Sequence, residues 1–232
     1  MASTVPRNDH KRTWLRWNTS SMNNRRHVVL LGDSIFDNGV YVPGGPDVVR
    51  QVSDRLSQGS VATLLAVDGA VVSDVHRQLR RIPADATNLV LSVGGNDALG
   101  ASGVLGEKAV TVADALARLS RIADGFAARY QDMLEHVLAR ELPTALCTIY
   151  DANYPEPDRR IIVAALSLFN DVITRAAFAR KLPLIDLRLI CSDPQDYANP
   201  IEPSVQGGAK IASAIVTLIA TEPSRHSIVV AA

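Results

Sequence analysis

Five short apolar, β-prone runs alternate along this chain with longer stretches of helical periodicity, and that alternation restricts the fold more than any other feature. The runs cover residues 28–31, 61–67, 88–93, 145–150 and 184–187. The clearest helix is predicted over residues 112–139, where Val112, Leu116, Leu119, Ile122, Phe126, Tyr130, Met133 and Val137 recur at three- and four-residue steps. Residues 161–180 read the same way, opened by Pro155-Glu156-Pro157-Asp158 and closed before Pro183. A last helix is expected over residues 207–220, after a Gly-Gly pair. Alternating β and α units with short connections predict an α/β fold, a parallel sheet covered by helices on both faces. On such sheets ligands bind beyond the carboxyl ends of the strands.

A chain of 232 residues, 47% of them apolar, can bury a substantial core. Its 24 basic and 24 acidic residues balance, so nothing global points to a nucleic-acid partner. No uninterrupted apolar run approaches the length of a membrane helix, and no membrane span is expected. Residues 1–26 are polar and basic, with Arg7, Lys11, Arg12, Arg16, Arg25 and Arg26 against Asp9 alone. They lack the apolar segment of a secretory signal and read as a tail, which leaves residues 27–222 as the domain and 223–232 as a C-terminal tail. Cys147 and Cys191, the two cysteines, read as reduced buried thiols of a cytoplasmic protein. No His or Cys stands at zinc-ligand spacing to either, and no phosphate loop or dinucleotide fingerprint occurs, so neither metal nor cofactor is expected.

Three loops that follow predicted strands carry the chemistry. The first run breaks at Gly32-Asp33-Ser34, which delivers a hydroxyl to a strand end through a tight turn. The second loop is Val67-Asp68-Gly69-Ala70, where a glycine amide can donate to a developing oxyanion. The third is Ser92-Val93-Gly94-Gly95-Asn96-Asp97, where a carboxamide can aim an uncharged N–H at the same atom. Each taken singly also reads as turn chemistry. Together, a serine hydroxyl, a glycine amide and an asparagine amide at successive strand ends make an acyl-transfer constellation.

These segments resemble those of the SGNH (GDSL-type) hydrolases, a family of serine esterases and acylhydrolases. Gly32-Asp33-Ser34-Ile35 is similar to its nucleophile block, Gly69 to its glycine block and Gly94-Gly95-Asn96-Asp97 to its Gly-x-Asn-Asp block. Less specific features, Phe169-Asn170-Asp171 and Leu184-Ile185-Asp186-Leu187, fall within the same span. The resemblance implies a flavodoxin-like three-layer α/β/α sandwich, Ser34 as nucleophile, and an oxyanion hole from the Ser34 amide, Gly69 and Asn96.

The final block departs from that pattern. The family's Asp-x-x-His is replaced by Asn199-Pro200-Ile201-Glu202, so Glu202 stands where the histidine belongs and Asn199 where the aspartate belongs. An ordinary solvated carboxylate is a poor base for a serine hydroxyl; burial that raises its pKa makes it a better one. Asp196 is a further candidate outside the family spacing. Of the histidines, His10 and His226 lie in the tails, His27 at the wrong end of the first strand, His136 on the long helix, and His76 two helical turns past Gly69. Two readings stand. One is a serine esterase cleaving a small-molecule ester through a Ser34 acyl-enzyme, with Gly69 and Asn96 at the oxyanion and Glu202 as base. The other is a non-catalytic pseudoenzyme that binds an ester or acylated ligand. Phe36, Tyr41 and Tyr197 are expected to wall the site, and residues 38–46 to cover it.

Overall fold

The structure is a computed structural model and describes residues 25–221 and 228–231. Most of the basic N-terminal segment, with His10, and the residue His226 lie outside the described residues. The first half of the fold runs β1 (His27–Gly32), α1 (Val48–Arg55), β2 (Val61–Leu64), α2 (Val75–Leu79), β3 (Asn88–Ser92), α3 (Gly95–Ala101), α4 (Val112–Leu138). The second runs β4 (Thr144–Cys147), α5 (Asp158–Ala179), β5 (Leu184–Ile185), α6 (Leu187–Ile190), β6 (Tyr197–Asn199), β7 (Glu202–Pro203), α7 (Val205–Ala220), β8 (Val229–Val230).

Six strands form one sheet in the order β2-β1-β3-β4-β5-β8, every pair parallel. Side chains on neighbouring residues of a strand point to opposite faces, and both faces here are apolar. Val28 and Leu30 of β1 pack with α1 and α7, whereas Val29 and Leu31 pack with α2, α4 and α5. The expected sandwich is therefore present, and β1, β3, β4 and β5 each contribute to both of its cores. The chain leaves β1 to one side for β2 and returns to the other side for β3. The order in which strands are added thus reverses between β1 and β3, the place where open parallel sheets hold ligands.

The elements differ from the expected ones in instructive ways. The second strand stops at Leu64 because the amides of Leu65 and Ala66 both reach the Leu30 carbonyl, at 2.9 Å each, and the ladder ends there. The stripe on α4 is buried from Phe126 onward, but Val112 and Leu116 are exposed. Val229 and Val230, assigned to a C-terminal tail from sequence, add to β5 as an edge strand. By length and composition α5 is apolar enough to cross a membrane. Its inner residues Leu166, Phe169, Ile173, Ala176 and Ala177 pack against the sheet, which makes it a core helix of this fold.

Candidate active site

Ser34 is placed by the turn that ends β1. Gly32 closes the strand with φ +124°, and a Cβ there would stand 1.7 Å from the Ser92 carbonyl oxygen, so only glycine fits. Asp33 N donates to Ser92 O at 3.1 Å, which continues the β1–β3 pairing one residue beyond the register Gly32↔Ser92. From the other side the buried Gln78 carboxamide of α2 grips Gly32, accepting from its amide at 2.8 Å and donating to its carbonyl at 2.7 Å. The Ser34 turn is thus held by backbone on one flank and by a side chain on the other.

Across the site, β6 and β7 form a hairpin whose second strand begins at Glu202. Three donors pin this hairpin to the body of the protein. Asn153 N reaches Pro200 O at 2.8 Å, Tyr150 Oη reaches Ile201 O at 2.6 Å, and Asn38 Nδ2 reaches Pro203 O at 3.1 Å. Asn199 folds its own turn, its Oδ1 accepting from Ile201 N at 2.9 Å. Among the described residues it makes no hydrogen bond to the Glu202 carboxylate. The outcome is that Ser34 Oγ donates to Glu202 Oε1 at 3.0 Å, with both residues buried.

Burial dominates the electrostatics here. It pushes Glu202 up to about 7, with the Asp68 carboxylate adding repulsion, while the Ser34 hydrogen bond pulls the other way. Glu202 Oε2 is buried and has no hydrogen-bond partner among the described residues, so little stabilises the ionised form. Burial raises Asp33 to about 7 as well, against the hydrogen bond from Ile35 N and with Glu202 and Asp97 adding repulsion. Two carboxyl groups on neighbouring walls therefore sit near neutrality in their titration.

Ser34, Asn96 and Glu202 line one cavity of about 540 Å³. Asn96 opens α3, and its Nδ2 donates to Ala70 O at 3.0 Å, which ties the third loop to the second and leaves one amide hydrogen unspent. Gly69 does not line the cavity; it is exposed beside Ala70 in a turn with φ +77°. No acceptor among the described residues takes the backbone N–H of Ser34 or of Gly69. Asp97 accepts from Val72 N at 2.9 Å and braces the same loops. Away from the serine the cavity is apolar, walled by Leu99, Leu105, Ile122, Ile149, Leu166 and Phe169.

Several expected contributors are elsewhere. Phe36 is a core residue, Tyr41 donates to Asp68 Oδ2 at 2.9 Å, and Tyr197 Oη lies 2.6 Å from Asp151 O and 2.7 Å from Cys191 O. None of residues 38–46 lines the cavity. Asp196 is committed to Lys210 at 2.7 Å and to Gln206 at 3.0 Å. His27 bonds Thr63, and His76 and His136 meet Asp132 on the far side of α4, so no described histidine lines the cavity. Gln78, Asn38 and Tyr150, which support the Ser34 turn and the Glu202 hairpin, escaped sequence reading as supports. Asn170 did carry a signal: its carboxamide holds both the amide and the carbonyl of Ile149 at 2.8 Å, fixing a cavity wall.

The sequence profile of the GDSL-like lipase/acylhydrolase family matches residues 30–209. No curated protein matches the chain by sequence. Solved structures resemble it in fold. An extracellular lipase from Streptomyces rimosus superposes with a TM-score of 0.63 at 19% identity, over 84% of this chain and 100% of its own. A phospholipase A1 from Streptomyces albidoflavus gives 0.60 at 18% identity, over 86% and 100%. An acetyl xylan esterase from Geobacillus stearothermophilus gives 0.56 at 16% identity, over 88% and 100%. The profile runs from within β1 to within α7, through both strand ends that form the cavity, and the folds agree with it: the chain belongs to the GDSL-like lipase/acylhydrolase family.

Proposed function

We propose that this protein is a serine esterase in which Glu202 takes the part of the general base. The observation that carries the reading is the 3.0 Å hydrogen bond from Ser34 Oγ to Glu202 Oε1 inside a largely apolar cavity. In the first step Ser34 Oγ attacks the ester carbonyl and its proton passes to Glu202. The oxyanion is met by the unspent Asn96 amide hydrogen and by the backbone N–H of Ser34, which line the cavity as Gly69 does not. Glu202 returns the proton to the departing alkoxide, leaving an acyl group on Ser34. Water, deprotonated by Glu202, then releases the acid and restores the serine. A carboxyl group near 7 suits both directions of this transfer, because it is basic enough to take the proton and acidic enough to return it.

The apolar reach of the cavity favours a substrate whose acyl group is larger than acetyl, with the carbonyl at Ser34 and the chain directed toward Ile122 and Leu166. The carboxyl groups of Asp33, Glu202 and Asp158 on the lining disfavour anionic substituents near the reacting carbon. The mechanism uses no cofactor.

Labelling tests the reading. A fluorophosphonate should attach once, at Ser34, and abolish hydrolysis of p-nitrophenyl butyrate, and Ser34→Ala should be neither labelled nor active. Turnover that persists in Ser34→Ala, or tight ester binding with no turnover by the unmodified protein, contradicts it.

A further inference from the structure

On the outer side of α4, three side chains that the esterase reaction does not use converge. His76 of α2 places Nε2 3.2 Å from Asp132 Oδ2. His136, one turn beyond Asp132 on α4, has Nδ1 4.0 Å from Asp132 Oδ1. The two imidazoles meet edge to face, with centroids 4.6 Å apart at 84°. One ligand atom from each of the three residues lies within 4.8 Å of the others. In a tetrahedral zinc site, with bonds of about 2.0–2.1 Å, ligand atoms sit roughly 3.4 Å apart, so modest rotations of half-exposed side chains close the gap.

We propose that His76, Asp132 and His136 form a binding site for a divalent transition-metal ion, zinc being the probe of choice, that ties α2 to α4. Two imidazoles and one carboxylate make an N₂O donor set suited to zinc; magnesium and calcium prefer oxygen throughout. Water completes the coordination. Asp132 has no Lys or Arg within ion-pair distance among the described residues, and its ion-pair contacts are with the two rings alone. A carbonyl oxygen can only accept, so His136 Nδ1, 2.8 Å from Asp132 O, carries the proton and Nε2 keeps a lone pair. Rotation of this exposed ring offers that lone pair to the ion.

The place of the site in the fold gives the ion a structural task. The helix α2 is only five residues long, and its Gln78 holds both backbone groups of Gly32, two residues before Ser34. The helix α4 contributes Leu119 and Ile122 to the cavity wall. An ion shared between the two helices braces the nucleophile turn against the acyl wall without touching either.

Zinc titration of the full chain by calorimetry, paired with thermal unfolding, tests this. The expected result is one tight zinc equivalent, a rise of a few degrees in Tm, and no comparable effect of magnesium. His76→Ala, His136→Ala and the isosteric Asp132→Asn should each weaken zinc binding at least about tenfold and remove the Tm rise. Their hydrolysis in chelator-treated buffer should match that of the unmodified protein. Absence of stoichiometric binding at about 100 μM zinc, or binding that survives His76→Ala and His136→Ala unchanged, overturns the proposal.

Discussion

Ser34 Oγ and Glu202 Oε1 lie 3.0 Å apart although 168 residues separate them in the chain. Neither side chain is free to drift. The Ser34 turn is fixed by Gly32 against Ser92 and by Gln78, and the Glu202 hairpin by Asn38, Tyr150 and Asn153. A hydrogen bond between two buried groups held on separately anchored elements is preorganised, which is what proton transfer at an acyl-transfer site requires.

Loss of the Asn96 amide should slow chemistry and leave binding almost alone. In the proposed mechanism its unspent hydrogen meets charge that exists only after attack, so Asn96→Ala should lower kcat by about 10²–10³-fold with little change in KM. Steady-state kinetics on p-nitrophenyl butyrate check this. An effect confined to KM places Asn96 outside the oxyanion site.

The apolar cavity makes a prediction about chain length. Each methylene moved from water to such a wall contributes about 0.8 kcal/mol, so kcat/KM should climb roughly fourfold per carbon from acetate to hexanoate esters. Ile122→Trp fills the inner part of the cavity and should flatten that series while sparing acetate. A series that declines from acetate onward shows that the chain binds elsewhere.

The two raised carboxyl groups oppose stability at alkaline pH. Asp33 and Glu202 have ordinary values of 3.8 and 4.5 and stand at about 7 in the fold. Both therefore bind a proton more tightly when folded, so the contribution of these two groups to stability is full below their ordinary values and is lost as pH rises toward and through about 7. Asp33→Asn and Glu202→Gln should each raise Tm by several degrees at about pH 8 and by much less at about pH 5. Equal shifts at both pH values contradict the assignment of these groups as the source.

Tyr150 should act on the base through the hairpin. Tyr150→Phe removes the donor to Ile201 O and leaves that carbonyl unpaired, at a cost of about 1–3 kcal/mol. The expected signature is a lower kcat with an unchanged pH dependence, since Tyr150 does not touch the Glu202 carboxylate. A shift of the pH profile in this variant argues for a direct electrostatic role instead.

The parts of this molecule that were legible in its sequence are those with a period or a local turn signature. The helices α4 and α5 came through because their apolar residues repeat at fixed steps, the strands β1 and β3 because they are short apolar runs closed by turn residues, and α7 because a Gly-Gly pair opens it. Ser34 and Asn96 came through because Gly32 and Gly94-Gly95 mark the turns that present them. Glu202 was locatable by its position in the final block, but its closeness to Ser34 depends on tertiary contacts. Gln78, Asn38 and Tyr150 were invisible. Their partners are backbone atoms 46, 165 and 51 residues away, and nothing local marks a polar side chain as buried. The edge strand β8 is two residues long, too short for alternation to reveal.

The central claim, that Glu202 is the working base of Ser34, is tested most directly by kcat/KM for p-nitrophenyl butyrate between about pH 5 and 9 in the unmodified protein and in Glu202→Gln. The account predicts a single rising limb with a midpoint near 7, activity at about pH 5 some hundredfold below the plateau, and a loss of at least about 10²-fold in Glu202→Gln. A Glu202→Gln variant that keeps the activity and the pH limb of the unmodified protein contradicts it.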